Sequence, residues 1–382
     1  MRKWKLIGAC CLVTVLTFSG PAMKVRAGSP EFARTPEEWG KLRDNVMEYD
    51  ELAGLIHEYN VTVQKNQLDI NDKKKDDLVT RDQYAQYYRE AASDARSAIS
   101  GDDPVSDAKS AVSAAKADKE ADVNTEDLEI YRLTYDQTEA NLISRAQTLM
   151  ISYFQQQYEL ERLMINLELL EAEYQAALAK QSTGMATQVA VLMAQECIHN
   201  SRGAIDKLRA SAEETRQKLC VMLGWKYNDI PEIMDIPAVD MERTGLINPE
   251  TDKEMAFQNN YTLKINKRKL ENASADITKE TLKRTISSDE QNINTALVKD
   301  YQAVLQAKAA YEQAIGEYNL ESKNMDTAQQ KYQLRMMSPL DYQRQKNAYN
   351  MNRIAVKSAG LTLFQAFQTY DNAVNGLAST GG

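Results

Sequence analysis

Helix breakers are scarce in this chain. Its 382 residues hold only 15 glycines and 8 prolines, most of them gathered at a few points. Long stretches therefore contain nothing to end a helix, which predicts an elongated all-α protein. Histidine is scarcer still, with His57 and His199 alone. His199 follows Cys197 by two, so the pair diverges around a helix and does not chelate. No nucleophile elbow, phosphate loop or paired Cys-x-x-Cys occurs, and the acids are scattered as on solvated helix faces. The expectation is a protein with no catalytic residue, no metal site and no cofactor. Basic clusters are also lacking: the one run, Lys73-Lys74-Lys75, is framed by Asp72, Asp76 and Asp77, which cancel it locally.

Apolar runs are short as well, with one exception at the start. Residues 1–27 combine a basic opening (Arg2, Lys3, Lys5), an apolar stretch over 6–18 and Val25-Arg26-Ala27 before Gly28, the pattern of a secretory signal. Its 13-residue core is short for a membrane span. Ile7-Gly8-Ala9-Cys10 has too little apolar sequence before it for a lipoprotein box. Removing the signal takes away five basic residues and no acid, leaving 41 Lys+Arg against 55 Asp+Glu, a formal charge of −14. Such a chain repels nucleic acid and anionic lipid. Cys197 and Cys220 remain, 23 residues apart on one predicted helix, or about 35 Å along its axis, and cannot bridge each other. The chain is expected to be exported and to lie in the cell envelope, outside the cytoplasm.

What is abundant is heptad periodicity, and it occurs twice. Over 301–376, Val304, Tyr311, Tyr318, Met325 and Tyr332 lie seven apart, with Ala307, Ala314 and Ala328 three residues after members of the series. That is the spacing of a coiled-coil seam. A bend at Arg335-Met336-Met337-Ser338-Pro339 follows, because proline lacks the amide proton and disfavours helix before it. The returning helix carries a strip of small residues: Ala348, Ala355, Thr362, Thr369 and Gly376, with Ala359, Ala366 and Ala373 between them. Such a strip admits another helix closely.

The other copy lies upstream. Tyr153, Leu160, Leu167 and Tyr174 match the second seam at an offset of 151, and Met185-Ala186-Thr187 matches Met336-Met337-Ser338 at the same shift. Earlier in each half, Tyr59, Val61, Val63 and Leu68 match Tyr261, Leu263, Ile265 and Leu270 at 202, so the first half carries about 51 extra residues. Gly101-Asp102-Asp103-Pro104 is the strongest turn signal in that region, which predicts a helical hairpin over about 69–140, extended by roughly seven turns per arm. The corresponding turn of the second half is expected near Ser287-Ser288-Asp289, with Ser288 and Gln291 at capping-box spacing. The chain then divides into a first repeat at 28–225, a proline-punctuated linker at 226–250, a second repeat at 251–377 and a loose tail at 378–382. Helix is expected to run from Thr35 with few breaks to about Ser100, and again over 125–181, roughly 85 Å. Helices of that length pack side by side.

The bends are the candidate sites. Each sets Gly184, Met185 and Thr187, or Met336, Met337 and Ser338, at the end of a long hairpin, and exposed methionine is a deformable apolar contact suited to a protein partner. A turn closed by its own residues fits the same spacing equally well. The tyrosines at heptad positions fit helix packing with the hydroxyl at the rim, or a ligand platform.

Taken together, these residues resemble the TolC family of outer-membrane efflux and secretion channels. Ser182-Thr183-Gly184-Met185-Ala186-Thr187-Gln188-Val189-Ala190-Val191 is similar to the family's tip sequence, and Leu219-Cys220-Val221-Met222-Leu223-Gly224-Trp225 to its repeat ending. Asn259-Asn260-Tyr261 resembles the opening of its second half, and the second bend and Asn375-Gly376-Leu377 are similar again. The resemblance implies a homotrimer whose helices form a hollow α-barrel. It also implies tips that dock on a membrane-fusion adaptor served by an ABC-type or other inner-membrane transporter, in a passive conduit without catalysis. Asp341 matches an acidic position that lines the tip constriction, where a ring of carboxylates favours cations. Arg344 stands where a second acid is common, Arg335 replaces the tip glycine of the second copy, and Ala190 occupies the acidic position of the first.

One departure concerns the membrane. Spanning strands need about 9 to 11 residues of alternating apolarity, and 69–125 and 271–295 have none. The resemblance is therefore to TolC-like proteins without transmembrane β-strands, from organisms with a single membrane, whose hairpin would project into the cell wall. The alternative from another class is a secreted structural coiled-coil protein that spans or spaces the wall.

Overall fold

A computed structural model describes residues 34–381, so the signal-like segment 1–27 lies outside the described residues. Thr35 opens the first helix, α1 (Pro36–Leu42), with a capping box to Glu38 and proline in the first turn. The chain then bends repeatedly instead of running straight to Ser100. A two-residue strand β1 (Val46–Met47) and a 3-10 turn precede α2 (Leu52–Tyr59), and α3 (Val61–Lys75) follows at an angle. Asn60 makes that break: its backbone is extended and its side chain accepts from the Thr62 amide at 2.9 Å, capping the new helix.

The next elements are α4 (Arg81–Ser97) and α5 (Pro104–Val123), then α6 (Leu128–Ser182), 55 residues or about 82 Å of helix, and its return α7 (Gln188–Met222). The linker adds β2 (Glu232–Ile233), which pairs in parallel with β1 through Val46 and Glu232 and through Met47 and Ile233. Arg216 of α7 donates to the Asp229 carbonyl and fixes the start of that linker. The second half runs through α8 (Pro249–Asn259), α9 (Tyr261–Asn272), α10 (Asp276–Gln333) and α11 (Pro339–Asn372).

Four of these are long helices in one layer, in the order α7, α6, α11, α10, since α6 packs on both α7 and α11, and α11 on both α6 and α10. The short helices complete the layer at one end. The start of α3 meets the end of α7, where Asn60 Nδ2 donates to the Met222 carbonyl at 2.9 Å. Likewise α9 meets the end of α11, where Asn260 Nδ2 donates to the Ala378 carbonyl at 2.9 Å. Asn60 and Asn260 are equivalent, and both cap: Asn260 accepts from the Leu263 amide at 3.0 Å. The two glycines that end the return helices, Gly224 (φ +94°) and Gly376 (φ +115°), press on Tyr59 and Asn259, the residues just before those asparagines.

Apolar burial is concentrated at this same end. One cluster joins Leu52, Leu55 and Ile56 to Met150, Ile151 and Leu219, and another joins Leu263, Ile293 and Leu297 to Val304, Leu363 and Phe367. Toward the bends the helices rely on a thinner seam: Ala314 and Ala328 are buried and Tyr311, Tyr318 and Met325 half-buried, as the heptads predict, while Tyr332 is exposed. Of the small residues on α11, Gly360 lies against the Tyr311 ring, while Ala355, Thr362 and Thr369 stay exposed.

Several expectations are corrected. The true offset between the early parts of the halves is 200, set by Asn60 and Asn260, not 202. The extra segment is 76–127, which is 52 residues where the second half has the three residues Ala273-Ser274-Ala275, an excess of 49. It is a separate hairpin of 17 and 20 residues, about five turns per arm, rather than an extension of the neighbouring helices. Asp77 in the left-handed region (φ +58°), the Thr80 cap and the Asp127 cap break it from α3 and α6. The Ser287-Ser288-Asp289 stretch is helix, because Asp289 is buried and accepts from Asn266 of α9 at 2.8 Å. The tail is tied down, with Thr380 accepting from Asn292 at 2.7 Å. Among the described residues no helix is long and apolar enough to cross a membrane.

Candidate functional site

The two bends have the same backbone geometry at the offset of 151. At the first, Gly184 takes φ +76°, its amide donates to Gln181, and the Met185 amide donates back to the Lys180 carbonyl at 2.8 Å. At the second, Arg335 takes φ +60°, its amide donates to Tyr332, and Met336 donates to Lys331 at 2.8 Å. This closure satisfies helix-end carbonyls and turns the methionine outward. Met185 is 74% exposed and Met336 is 72% exposed. Met337, like Ala186 at the matching position, turns partly inward, so the geometry separates it from Met336. Thr187 and Ser338 then cap the returning helices, accepting from the amides of Ala190 at 3.2 Å and Asp341 at 3.1 Å.

Each exposed methionine belongs to a larger apolar patch that the heptad argument missed. Val189, Leu192 and Met193 continue from Met185 along α7, spaced four, seven and eight residues from it, and all three are exposed. Beside Met336 the exposed Leu334 extends the second patch, and Tyr332 stacks on Tyr342 with ring centroids 4.4 Å apart. Both bends thus present several exposed apolar side chains on an otherwise acidic chain.

Asp341 and Arg344 are brought together, with a third partner. The Ser338 hydroxyl donates to Asp341 Oδ2 at 2.7 Å, and Arg344 Nη1 lies 3.4 Å from Oδ1. The other side of the guanidinium donates to Glu173 Oε1 from Nε at 3.1 Å and Nη2 at 2.9 Å. Arg344 thus ties α11 of the second hairpin to α6 of the first. Higher up the same seam Arg353 donates to Glu161 at 2.9 Å, and Asn347 to the Ile165 carbonyl at 3.1 Å. These exposed ion pairs contribute about 0–1 kcal/mol each. The group Glu173, Asp341 and Arg344 carries two carboxylates and one guanidinium.

The remaining polar features lie far from the bends. A recess of about 290 Å3 between α6, α10 and α11 is lined by Ser144, Thr148, Asp300, Gln365, Gln368 and Asn372. Burial pushes the Asp300 carboxyl above its usual range, with Lys299 opposing the shift. His57 Nδ1 lies 3.0 Å from Glu139 Oε1 in the core. Cys197 is exposed and Cys220 buried, both on α7. Among the described residues no group of His, Cys, Asp and Glu is arranged to hold a metal ion.

No family model matches the chain, and no curated protein does. Solved structures do. A membrane protein from Pseudomonas aeruginosa is 10% identical at a TM-score of 0.56, over 85% of this chain and 93% of that one. The Campylobacter jejuni CmeC outer membrane channel is 10% identical at a TM-score of 0.52, over 98% of this chain and 96% of the other. The CusC structure is 13% identical at 0.53, over 86% and 96%. At such identities the likeness is one of fold: the chain has the all-α protomer fold of the TolC-like channels.

Proposed function

We propose that this chain is the protomer of a TolC-like export conduit of the cell envelope, a homotrimer without catalysis. The observation that carries the proposal is the open layer. Columns α7 with α3, and α10, form its two edges, and both edges carry exposed apolar residues: Val61, Leu68, Leu192 and Val221 on one, Ile277, Val298 and Leu320 on the other. A single copy leaves these faces in water. Closing one edge on the opposite edge of the next copy buries both and encloses an axial channel, a head-to-tail contact that closes by rotation.

On this reading the tips, with Met185, Thr187, Met336 and Ser338 around Gly184 and Arg335, dock on a membrane-fusion adaptor fed by an ABC-type or other inner-membrane transporter. Met337 supports the turn more than the contact. Glu173, Asp341 and Arg344 form the channel's narrow end, where three net negative charges, one per copy, favour cations.

Mass photometry of the purified chain is expected to give three copies, and electron micrographs an axial channel; a monomer or a closed dimer overturns the proposal. A photo-crosslinker at Met185 or Met336 is expected to capture a membrane-fusion adaptor. A structural protein that spaces the wall captures none.

A further inference from the structure

The hairpin of α4 and α5 stands at the end opposite the bends, and its root is tied down by hydrogen bonds. Arg81 Nε donates to the Asn124 carbonyl at 3.2 Å, Asn272 donates to the Thr125 carbonyl at 2.9 Å, and Arg268 donates to the buried Asp127 at 2.7 Å. The root therefore sits over the ends of both halves of the protomer. Its own interior is thin: Ala85, Ala92, Ala114 and Ala121 with Tyr84. Two helices closed by an alanine seam bury too little surface to be stable alone.

The faces turned away from that seam differ. On α5 the outer face carries Val105, Val112 and Val123, which are 65%, 55% and 52% exposed, together with Lys109, Lys116 and Lys119. On α4 it carries Gln86, Glu90, Ser93 and Asp94. The charged pairs that bridge the two arms, Arg89 with Asp122 and Arg96 with Asp118, use none of these residues. Counted from the root at 1.5 Å per residue, Glu90 and Lys116 stand at about 14 and 11 Å, and Asp94 and Lys109 at about 20 and 21 Å. The acids of one outer face thus match the lysines of the other in height.

We propose that the hairpins of three copies pack side by side, α5 of one against α4 of the next, and form a six-helix crown that continues the conduit outward. The occupant of each outer face is a second copy of this chain. The inference rests on the trimeric reading above. Lys116 meets Glu90 and Lys109 meets Asp94 across each contact, and the valines leave water between them. Six helices make a tighter ring than the layer below, so the conduit narrows at this end.

The test is disulfide trapping in the full chain carrying Glu90→Cys, Lys116→Cys and Cys197→Ser. Within one hairpin the two new thiols lie on opposite outer faces, too far apart to bridge. Oxidation is expected to give a covalent trimer on a non-reducing gel. Reversing Glu90 and Asp94 to Lys is expected to remove trapping at a third, flanking pair, Gln86→Cys with Lys119→Cys, and adding Lys109→Glu and Lys116→Glu to restore it. A trimer by mass photometry that gives no covalent trimer overturns the crown and leaves the conduit standing. A monomer overturns both. Untrapped hairpins that retain a poly(glycerol phosphate) probe through Lys109 and Lys116 also overturn it, assigning the face to an anionic wall polymer.

Discussion

The bend ends of the two repeats and their opposite ends have diverged to different extents. At the bends the two closing backbone hydrogen bonds match, Gly184 to Gln181 and Met185 to Lys180 against Arg335 to Tyr332 and Met336 to Lys331, even though arginine stands for glycine at the left-handed position. At the other end one repeat has 52 residues where the other turns in three. The buried kinks next to those ends have changed little: Asn60 and Asn260 both cap, and Gly224 and Gly376 both close on the residue before the cap. Divergence is tolerated where the chain leaves the packed layer and resisted where backbones touch. A hairpin rooted outside the layer adds structure without moving any helix of it.

The equivalence of the repeats is broken most severely at the two glycines. A methyl group on Gly376 falls 2.6 Å from the Asn259 carbonyl oxygen, and on Gly224 2.4 Å from Tyr59 Cβ, with φ positive at both. Neither obstacle is the free end of a side chain. Gly224→Ala and Gly376→Ala are each expected to cost about 3–5 kcal/mol, a fall in thermal midpoint on the order of 5–10 °C by circular dichroism. If one falls and the other does not, the two kinks are not equivalent.

The asparagines come next. Replacing Asn60 or Asn260 with Ala removes a cap and a donor to the end of the return helix, expected to cost about 1–3 kcal/mol in denaturant titrations. Asn260 is the more deeply buried of the two, so Asn260→Ala is expected to be the more damaging.

These residues also explain what was legible in the sequence. The bends were, because Thr187, Gly184 and Ser338-Pro339 act locally through caps and backbone preference. The register of the kinks is carried by the capping asparagines, Asn60 and Asn260, and the apolar pattern around them lies two residues out of step with it. The turn at Ala273-Ser274-Ala275 contains no breaker. It is made by tertiary bonds, in which Asn272 reaches Thr125 and Arg268 reaches Asp127 across more than 140 positions. Glu173, the partner of Arg344, lies 171 residues away in sequence, and only folding brings it close. Asp341 and Arg344 were therefore readable as one acid and one base near the bend, but not as part of a tie between hairpins.

A smaller effect separates the bends. Arg335 holds a left-handed conformation that glycine adopts freely, so Arg335→Gly is expected to stabilise the chain by about 1 kcal/mol, and Gly184→Arg to destabilise it by a similar amount. Both leave Met185 and Met336 exposed, so adaptor capture is expected to persist in each. Loss of capture in Arg335→Gly gives the arginine side chain a contact role that its conformation alone does not imply.

The smallest expected effect lies in the recess beside α11, at Asp300. Burial raises its carboxyl in the folded chain, so the folded state holds this proton more tightly than the unfolded state does. Below the unfolded value both states are protonated and the group costs nothing. As pH rises through the interval between the unfolded and the raised folded value, the unfolded state ionises first and stability falls, leaving a constant penalty above it. Asp300→Asn is therefore expected to raise the thermal midpoint slightly at pH 7.5, with the gain disappearing toward pH 4. A gain that is the same at both values means that lost repulsion or better packing, not ionisation, is responsible. No change at either pH means that the recess is wet enough to solvate the carboxylate. Lys299→Ala sharpens the distinction: it removes the charge that opposes the shift, so the penalty at pH 7.5 is expected to grow.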